Sequence, residues 1–472
     1  MARESEMPAP LLPTRSFATP PKALARRAAL AAAFLLFFAA FAFGFQSHPS
    51  FEETSKAAAQ GNQQAQYSLG LMYHEGDGVP KDLRQAAGWF RKAAEQGYAD
   101  AQYNLGIMLS KGEGVPKDGT QALAWYRKAA EQGVADAQYN LAKMLAADGA
   151  AQNLPEAAQW YRKAAQQGQP NAQTNLGIMY SSGNGIAQDS QQAVVWYRKA
   201  AEQGNAVGQT NLGMAYITGD GVEKDFAQAM AWFLKAAVQD YPDAQYDLGV
   251  MYNKGVGIKR DPAQAAAWFR KAADQDYEPA QFNLGLLYKT GDGVAQDLPQ
   301  AASLFARAAE QGNPFAQFNL GAAYELGKGV PRDPAQAASW YRKSADQGYV
   351  LAQDSLGAMY ARGDEITRDF PQAVEWFRKA ADQGYDDAQF NLGVAYLYGD
   401  GVTRDLPQAA EWFRKAADQG HSKAQNNLGY MYANGLGVAQ DQQEAASWYQ
   451  KAIAQGNADA RHNLEKLAQK DK

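Results

Sequence analysis

Apolar residues recur at helical spacing in two kinds of segment along most of the chain. Residues 280–288 (AQFNLGLLY) place an alanine, two leucines and a tyrosine on one face, at the three- and four-residue intervals of an amphipathic helix. Residues 261–275 (DPAQAAAWFRKAADQ) show the same spacing with alanines and an aromatic pair. The pattern predicts two helices, which we call helix A for the first segment and helix B for the second.

Local signals mark the ends of helix B. An Asp or Asn stands seven residues before the tryptophan position and a Gln or Glu follows three residues later, as in Asp297 with Gln300 and Asn153 with Glu156. Such a pair is typical of a capping box, which satisfies amides that the first turn leaves free. A glycine follows the last turn except at Asp240 and Asp276, and a glycine pair links helix A to helix B in most units but not in the third. The sequence therefore predicts antiparallel helix pairs.

The helix pairs repeat with a period of 36 residues in nearly every unit. Residues 65–459 hold eleven complete units, residues 46–64 a linker and an N-terminal half-repeat, and residues 460–472 a more polar helix that we expect to cap the array. A unit of this length cannot bury its apolar face alone, so successive units must stack into one core. All ten tryptophans occupy one position of the period: Trp89, Trp125, Trp160, Trp196, Trp232, Trp268, Trp340, Trp376, Trp412 and Trp448.

A glycine inside helix A, such as Gly213, predicts a close helix contact. Glycine there costs about 1 kcal/mol relative to alanine, so its recurrence indicates that a large side chain approaches the backbone. The expected partner is the tryptophan of helix B together with the aromatic residue that follows it. On this interpretation Trp268→Ala would cost roughly 3 to 5 kcal/mol.

The N-terminal region predicts a membrane segment. Residues 28–45 (AALAAAFLLFFAAFAFGF) carry no charge and follow a basic tail, residues 1–27. Eighteen helical residues reach roughly 27 Å, enough for a hydrocarbon core. The positive-inside rule then places the N-terminus in the cytoplasm and the repeats in the periplasm. The alternative is an export signal cleaved after Ala42, which would leave the repeats periplasmic or secreted.

Composition and charge narrow the chemistry. The chain has no cysteine and four scattered histidines, so no thiolate metal site or cysteine nucleophile is available. Beyond residue 45 there are 40 basic against 48 acidic groups and no basic stripe, so nucleic acid is not expected as a partner. The glycine pairs lack the context of a phosphate-binding loop, and no nucleophile and base stand at a catalytic spacing. No metal, cofactor or catalytic residue is therefore predicted.

Candidate partner-binding residues lie on one face of helix A. Positions in each repeat are numbered from the alanine that opens the string AQFNLG, which is Gly208 in the fifth repeat. The third position, together with the variable seventh and tenth positions, would form an apolar strip that suits an extended or helical peptide. Asparagines beside it can donate to and accept from a peptide backbone. In the alternative, both sets hold neighbouring repeats together. The third-position aromatics are Tyr67, Tyr103, Tyr139, Tyr246, Phe282, Phe318 and Phe390, and the asparagine row is Asn104, Asn140, Asn175, Asn211, Asn283, Asn319, Asn391 and Asn427.

The strings AQFNLGLLYKTGDGVAQDLPQAA and WFRKAADQG resemble the Sel1-like repeat, a relative of the tetratricopeptide repeat, over about nine tenths of the chain. The resemblance implies an all-α, right-handed α-solenoid of antiparallel helix pairs that acts as a non-enzymatic scaffold or adaptor for a protein or peptide partner. Some members add a disulfide in each repeat, and penicillin-binding or hydrolytic activity has been attributed to them. Because the chain has no cysteine, that activity is not carried over. The alternative functions are an exported cell-wall or β-lactam hydrolase and an effector that is secreted after cleavage of the signal.

Overall fold

The computed structural model describes residues 50–147, 151–363 and 366–470. These ranges form twenty-four α-helices and no strand, which confirms the predicted all-α class. The odd-numbered helices are helices B: α1 (Phe51–Ala59), α3 (Leu83–Glu95), α5 (Gly119–Glu131), α7 (Leu154–Gln166), α9 (Ser190–Glu202), α11 (Phe226–Ala237), α13 (Pro262–Ala273), α15 (Leu298–Glu310), α17 (Pro334–Asp346), α19 (Phe370–Asp382), α21 (Leu406–Asp418) and α23 (Gln442–Ala454). The even-numbered helices are helices A: α2 (Gln63–Glu75), α4 (Ala99–Lys111), α6 (Ala135–Ala147), α8 (Pro170–Ser182), α10 (Ala206–Thr218), α12 (Pro242–Lys254), α14 (Glu278–Thr290), α16 (Pro314–Leu326), α18 (Val350–Arg362), α20 (Asp386–Tyr398), α22 (Ser422–Asn434) and α24 (Ala458–Lys470).

The predicted membrane location is wrong. A helical span needs about 20 predominantly apolar residues, and no helix in the ranges that the structure describes is long and apolar enough to cross a bilayer. This finding contradicts the single-pass arrangement with the N-terminus in the cytoplasm and the repeats in the periplasm. The segment on which that prediction rested, residues 28–45, lies outside the described residues.

Most helices B begin at the predicted N-cap residue, but the reciprocal half of the capping box is absent in α15, where the Asp297 amide donates to the Tyr288 carbonyl at 3.0 Å and not to Gln300. In α15, a side-chain oxygen of Asp297 accepts a hydrogen bond from the Gln300 amide at 2.9 Å, which satisfies a donor of the first turn. The third repeat is the exception. Asn153 has helical dihedral angles and its side chain does not cap α7, and Glu156 instead accepts a hydrogen bond from Arg127 at 2.5 Å. The capping box predicted at this position is therefore wrong.

The helices belong to two compact units, one ending at Ala244 and the other beginning at Gln245. Within each unit, helix A packs against helix B of its own repeat, and that helix B packs against the next helix A. Alanines fill much of both contacts; Ala265 and Ala272 of α13, for example, are fully buried. Small side chains allow close approach of the helices, so the larger core residues must be few and specifically placed.

The aromatic residue after the tryptophan is the large core side chain of each repeat. Phe269 is fully buried over Gly249 of α12, where an added Cβ would lie 2.5 Å from Cδ1 of Phe269. The close approach predicted at the glycine is therefore confirmed for this residue. Equivalent contacts pair Gly70 with Phe90, Gly106 with Tyr126, Gly177 with Tyr197, Gly213 with Phe233, Gly285 with Phe305, Gly321 with Tyr341, Gly357 with Phe377, Gly393 with Phe413 and Gly429 with Tyr449.

The tryptophan lies at the edge of the core, so its predicted position over the glycine is wrong. Trp268 is half-buried, as are six others, while Trp160, Trp376 and Trp448 are buried. A lysine three residues later covers each tryptophan ring; Lys271 Nζ lies 3.9 Å from the ring centroid of Trp268. Such a contact contributes about 0.5 to 1 kcal/mol at an exposed site.

A ladder of glutamines, for which no role was predicted, joins the helices of the repeats. Gln317, at the second position of the eighth repeat and within α16, is 4% exposed and donates a hydrogen bond to the Ala309 carbonyl of the preceding helix B at 3.1 Å. Its side-chain oxygen accepts a hydrogen bond from Gln347, at the end of the following helix B, at 2.8 Å. The glutamine pair recurs in eleven repeats. One side chain thus connects three consecutive helices.

We expect Gln317→Leu to lower the free energy of unfolding by about 1 to 3 kcal/mol, because it leaves the buried Ala309 carbonyl without this donor. Urea unfolding followed by circular dichroism measures the change. Gln336→Leu, at an exposed position of α17, is the matched control and should change stability by less than about 0.5 kcal/mol. Equal effects of the two substitutions would contradict a structural role for the ladder.

Candidate functional site

Successive helices A lie in a fixed register at several points along the chain. The third position of one helix A contacts the fourth position of the next, 37 residues later. Asn104 Nδ2 donates to the Tyr67 hydroxyl at 3.4 Å, and Asn391 Nδ2 donates to Asp354 Oδ1 at 2.9 Å. These bonds bring the predicted aromatic row and the asparagine row together across neighbouring repeats.

The third-position aromatics pack against the core aromatic of their own helix B. Phe318 shows the arrangement: its ring centroid is 5.5 Å from that of Tyr341 in the same repeat and 5.3 Å from that of Tyr349, which precedes the next helix A. Aromatic rings at these centroid separations stabilise the fold by more than the burial of their surface alone. The other pairs are Tyr67 with Phe90, Tyr103 with Tyr126, Tyr139 with Tyr161, Tyr246 with Phe269, Phe282 with Phe305 and Phe390 with Phe413.

These aromatic candidates differ in how much surface they leave for a partner. Tyr246 and Phe282 are 8% and 4% exposed, and burial raises the pKa of the Tyr246 hydroxyl to about 12. These two rings therefore belong to the core and leave little surface for a partner. The half-buried candidates are Tyr67, Tyr103, Tyr139, Phe318 and Phe390.

The asparagine row makes hydrogen bonds inside the protein. Asn319, 5% exposed, donates to the Phe315 carbonyl at 2.8 Å and accepts from Lys289 of the preceding repeat at 3.0 Å. An amide with both groups engaged has little left to offer a ligand. Among the rest, Asn140 bonds Tyr103, Asn175 donates to Tyr161, Asn283 donates to the Pro279 carbonyl, Asn211 is buried and Asn427 is half-buried.

The seventh position gives helix A an accessible apolar surface. Its side chains are half-buried in ten repeats, and Tyr430 is 50% exposed. Lys143 is the one charged member, so the row offers mainly apolar contact area. The other members are Leu71, Ile107, Ile178, Met214, Val250, Leu286, Ala322, Ala358 and Val394.

The aromatic row is interrupted in the fourth and fifth repeats, where threonines take its place. Thr174 and Thr210 are buried, and α8 packs directly against α10. Thr174 Oγ1 donates to Asn205 at 3.0 Å, and a Cβ added at Gly208 would lie 3.2 Å from that same oxygen. Small side chains thus replace rings where two helices A meet.

The ninth repeat places a carboxylate in the aromatic row. Asp354 is half-buried, and burial raises its pKa to about 6, although its bond from Asn391 acts in the opposite direction. Neighbouring Asp387 has a lowered pKa because of its hydrogen bond with His421, whose Nε2 lies 3.1 Å from Asp387 Oδ1. The Tyr385 hydroxyl donates to the other oxygen of Asp387 at 3.1 Å. This edge of helix A is therefore polar and acidic.

We expect the free energy of unfolding to fall as the pH rises through the pKa of Asp354. The folded pKa of Asp354, about 6, lies above the ordinary value of 3.8, so the folded state retains a proton that the unfolded state has lost between those values. Asp354 should contribute about 1 kcal/mol to the loss between pH 5 and 7.5, and this contribution should be absent from Asp354→Asn. Urea unfolding at both pH values measures it. Asp418→Asn, at an exposed position of helix B, should keep the wild-type pH dependence; an unchanged slope in Asp354→Asn would contradict the assignment.

Within residues 50–147, 151–363 and 366–470, no three His, Cys, Asp or Glu side chains are grouped so that they could hold a metal ion. In each compact unit, helices A present mostly half-buried, largely apolar side chains at the seventh position.

Antiparallel helix pairs that recur along the chain define a helical repeat protein. The chain belongs to the Sel1 repeat family, whose model matches eleven consecutive segments: residues 63–98, 99–134, 135–169, 170–205, 206–241, 242–277, 278–313, 314–349, 350–385, 386–421 and 422–457. Proteins of this family are generally non-catalytic and bind other proteins. No curated protein matches the chain significantly.

Two solved structures are similar to most of the chain. One is a protective antigen present in uropathogenic Escherichia coli strains, which is 41% identical, covers 90% of this chain and 91% of its own, and superposes with a TM-score of 0.72. The other is a Sel1 repeat protein from Oxalobacter formigenes, which is 37% identical, covers 66% of this chain and 89% of its own, and has a TM-score of 0.52.

Proposed function

We propose that this protein is a non-enzymatic scaffold whose helix A face holds a protein or peptide partner, with the helix pairs stacked in the right-handed sense that the family resemblance implies. The observation that carries the proposal is the half-exposed apolar row at the seventh position. Its side chains vary from repeat to repeat, whereas the alanines and glutamines around it are nearly constant. A surface that varies on a constant frame is suited to specific recognition.

The half-buried rings extend this surface at one edge. Phe318 and Phe390, like Tyr67, Tyr103 and Tyr139, pack with one part of the ring on the core and leave another part accessible. We assign them a contact role at the margin of the partner site. Tyr246, Phe282 and the asparagines support the partner site from beneath, because their contacts are internal.

Site-specific photo-crosslinking tests the face. A photoreactive amino acid replaces Ile178, Leu286 or Val394 on helix A, one at a time, in the full chain exposed to an extract of the source organism. We expect one or a few discrete protein adducts from these positions, because the row lies within contact distance of the partner.

The matched controls are Ser303 and Ser339, which are exposed on helices B. They should give no adduct with the same protein. Adducts that form equally from both faces, or from helix B alone, would place the partner elsewhere and contradict the proposal.

A further inference from the structure

The tenth and eleventh repeats carry an exposed apolar surface on helix A. Tyr398 and Tyr430 are 68% and 50% exposed, and they are two of the six large apolar side chains that are exposed in the described ranges. Val394 and Leu397 are half-buried on the same helix as Tyr398. Tyrosine presents a large apolar area with a polar tip, as residues that anchor protein contacts do.

The two helices that carry these side chains, α20 and α22, lie side by side. The ring of His421, which precedes α22, stacks on Phe390 of α20 with 4.7 Å between centroids. Val394 and Leu397 pack against the same buried cluster as Leu436, which follows α22. Tyr398 lies one turn beyond Val394 on α20, and Tyr430 occupies on α22 the position that Val394 occupies on α20, so both tyrosines belong to the same helix A face.

The N-terminal edge of this surface is acidic. Asp386 and Asp387 lie in the first turn of α20, and Asp354 faces the same edge through its bond with Asn391. Lys423 is the one basic side chain in the first turn of α22 and lowers the pKa of Asp387. Three carboxylates against one lysine leave a local excess of negative charge.

The His421 ring is engaged at both nitrogens: Nδ1 accepts a hydrogen bond from the Ala424 amide at 3.0 Å, and Nε2 lies 3.1 Å from Asp387 Oδ1. The three carboxylates outnumber Lys423 and this ring together. Carboxylates in a first helical turn also complement the helix dipole. That effect accounts for Asp386, but it accounts neither for Asp354, in the second turn of α18, nor for the exposed tyrosines.

We propose that α20 and α22 bind a partner segment that combines apolar side chains with a lysine or arginine. The apolar side chains would cover Val394, Leu397, Tyr398 and Tyr430, and the cation would lie at the carboxylate edge beside Asp386. The proposal rests on the proposed function. It narrows the binding surface to the tenth and eleventh repeats and the partner to a segment with apolar and basic side chains. Complementary charge at the rim selects the partner and its orientation, while the buried rings supply most of the affinity.

A random twelve-residue peptide library displayed on phage, selected on the full chain, is the probe. The expected selected sequences combine Leu or aromatic residues with Lys or Arg and lack an acidic majority. Their affinity should fall about tenfold in Tyr398→Ser with Tyr430→Ser and about threefold in Asp386→Asn with Asp387→Asn. Added salt should weaken binding to the wild-type chain and weaken it less to the doubly neutralised variant.

Leu326→Ser and Asp382→Asn are the matched controls. Leu326 is 59% exposed on a different helix A, and Asp382 is exposed on helix B, so both should leave the affinities unchanged. Selected peptides that are acidic, or that bind all variants equally, would overturn the proposal and leave the scaffold function standing. Recovery of no peptide, together with no adduct from helix A in the crosslinking experiment, would overturn both.

Discussion

Replacement of Phe269 by alanine is expected to lower the free energy of unfolding by about 3 to 5 kcal/mol, whereas Trp268→Ala should cost roughly 1 to 2 kcal/mol. Phe269 is fully buried against Gly249, so truncation of its ring removes contacts on every side and opens a cavity. Trp268 is half-buried and loses a part-exposed ring and its contact with Lys271. The smaller side chain should therefore have the larger effect.

Urea unfolding of the full chain followed by far-ultraviolet circular dichroism compares the two variants on one scale. Tryptophan fluorescence is unsuitable, because one variant removes a fluorophore. Phe269→Leu is the control for shape and should cost less than the alanine substitution, since leucine fills part of the cavity. A larger loss of unfolding free energy in Trp268→Ala than in Phe269→Ala would contradict this prediction and indicate that the tryptophan is the main core side chain.

The helix boundaries could be predicted because local chemistry specifies them. Asp297 caps α15 through its own side chain, and its effect depends on the next three residues alone. The choice between Trp268 and Phe269 could not be predicted in the same way. Adjacent residues on a helix point about 100° apart, so both lie near the apolar stripe, and only the packed helices show which one faces Gly249.

The candidate site shows the same division between local and long-range information. The third-position aromatics could be recognised as a row from the period of the sequence. Whether they face a partner depends on residues far along the chain: Tyr349 packs over Phe318, and Asn391 of the next repeat donates to Asp354. A side chain 30 or more residues away decides how much of each third-position side chain is exposed. The spacing of residues within one helix cannot predict that contact.

The glutamine ladder was missed for a related reason. Glutamine is usually exposed, so Gln317 on a helix with a polar side suggests a solvated residue. Its burial becomes understandable only when the carbonyl of Ala309 and the amide of Gln347 are both brought within hydrogen-bond distance. The available signal was a glutamine that recurs in every repeat directly after a small residue, alanine or, at Gly208, glycine.

The last prediction concerns the second glycine of the pair that links helix A to helix B. Gly293→Ala is expected to cost about 2 to 5 kcal/mol, the sum of left-handed strain and forced separation of two repeats. Gly293 has φ of +72°, and an added Cβ would overlap backbone atoms of Pro262 and Ala263 in the preceding repeat. Backbone atoms cannot rotate away as a side chain can, so the repeats themselves must move apart.

Gly291→Ala is the matched control, because Gly291 has nearly the same φ, +75°, but its added Cβ would meet only its own loop, 3.3 Å from Cβ of Gln296. It should cost about 1 to 2 kcal/mol from left-handed strain alone. The difference between the two variants in urea unfolding therefore isolates the contact between repeats. Equal costs would mean that the glycine pair serves the turn only. A larger cost for Gly293→Ala would show that the loop of one repeat fixes its distance from the one before it, and with it the spacing of the helix A face on which a partner would lie.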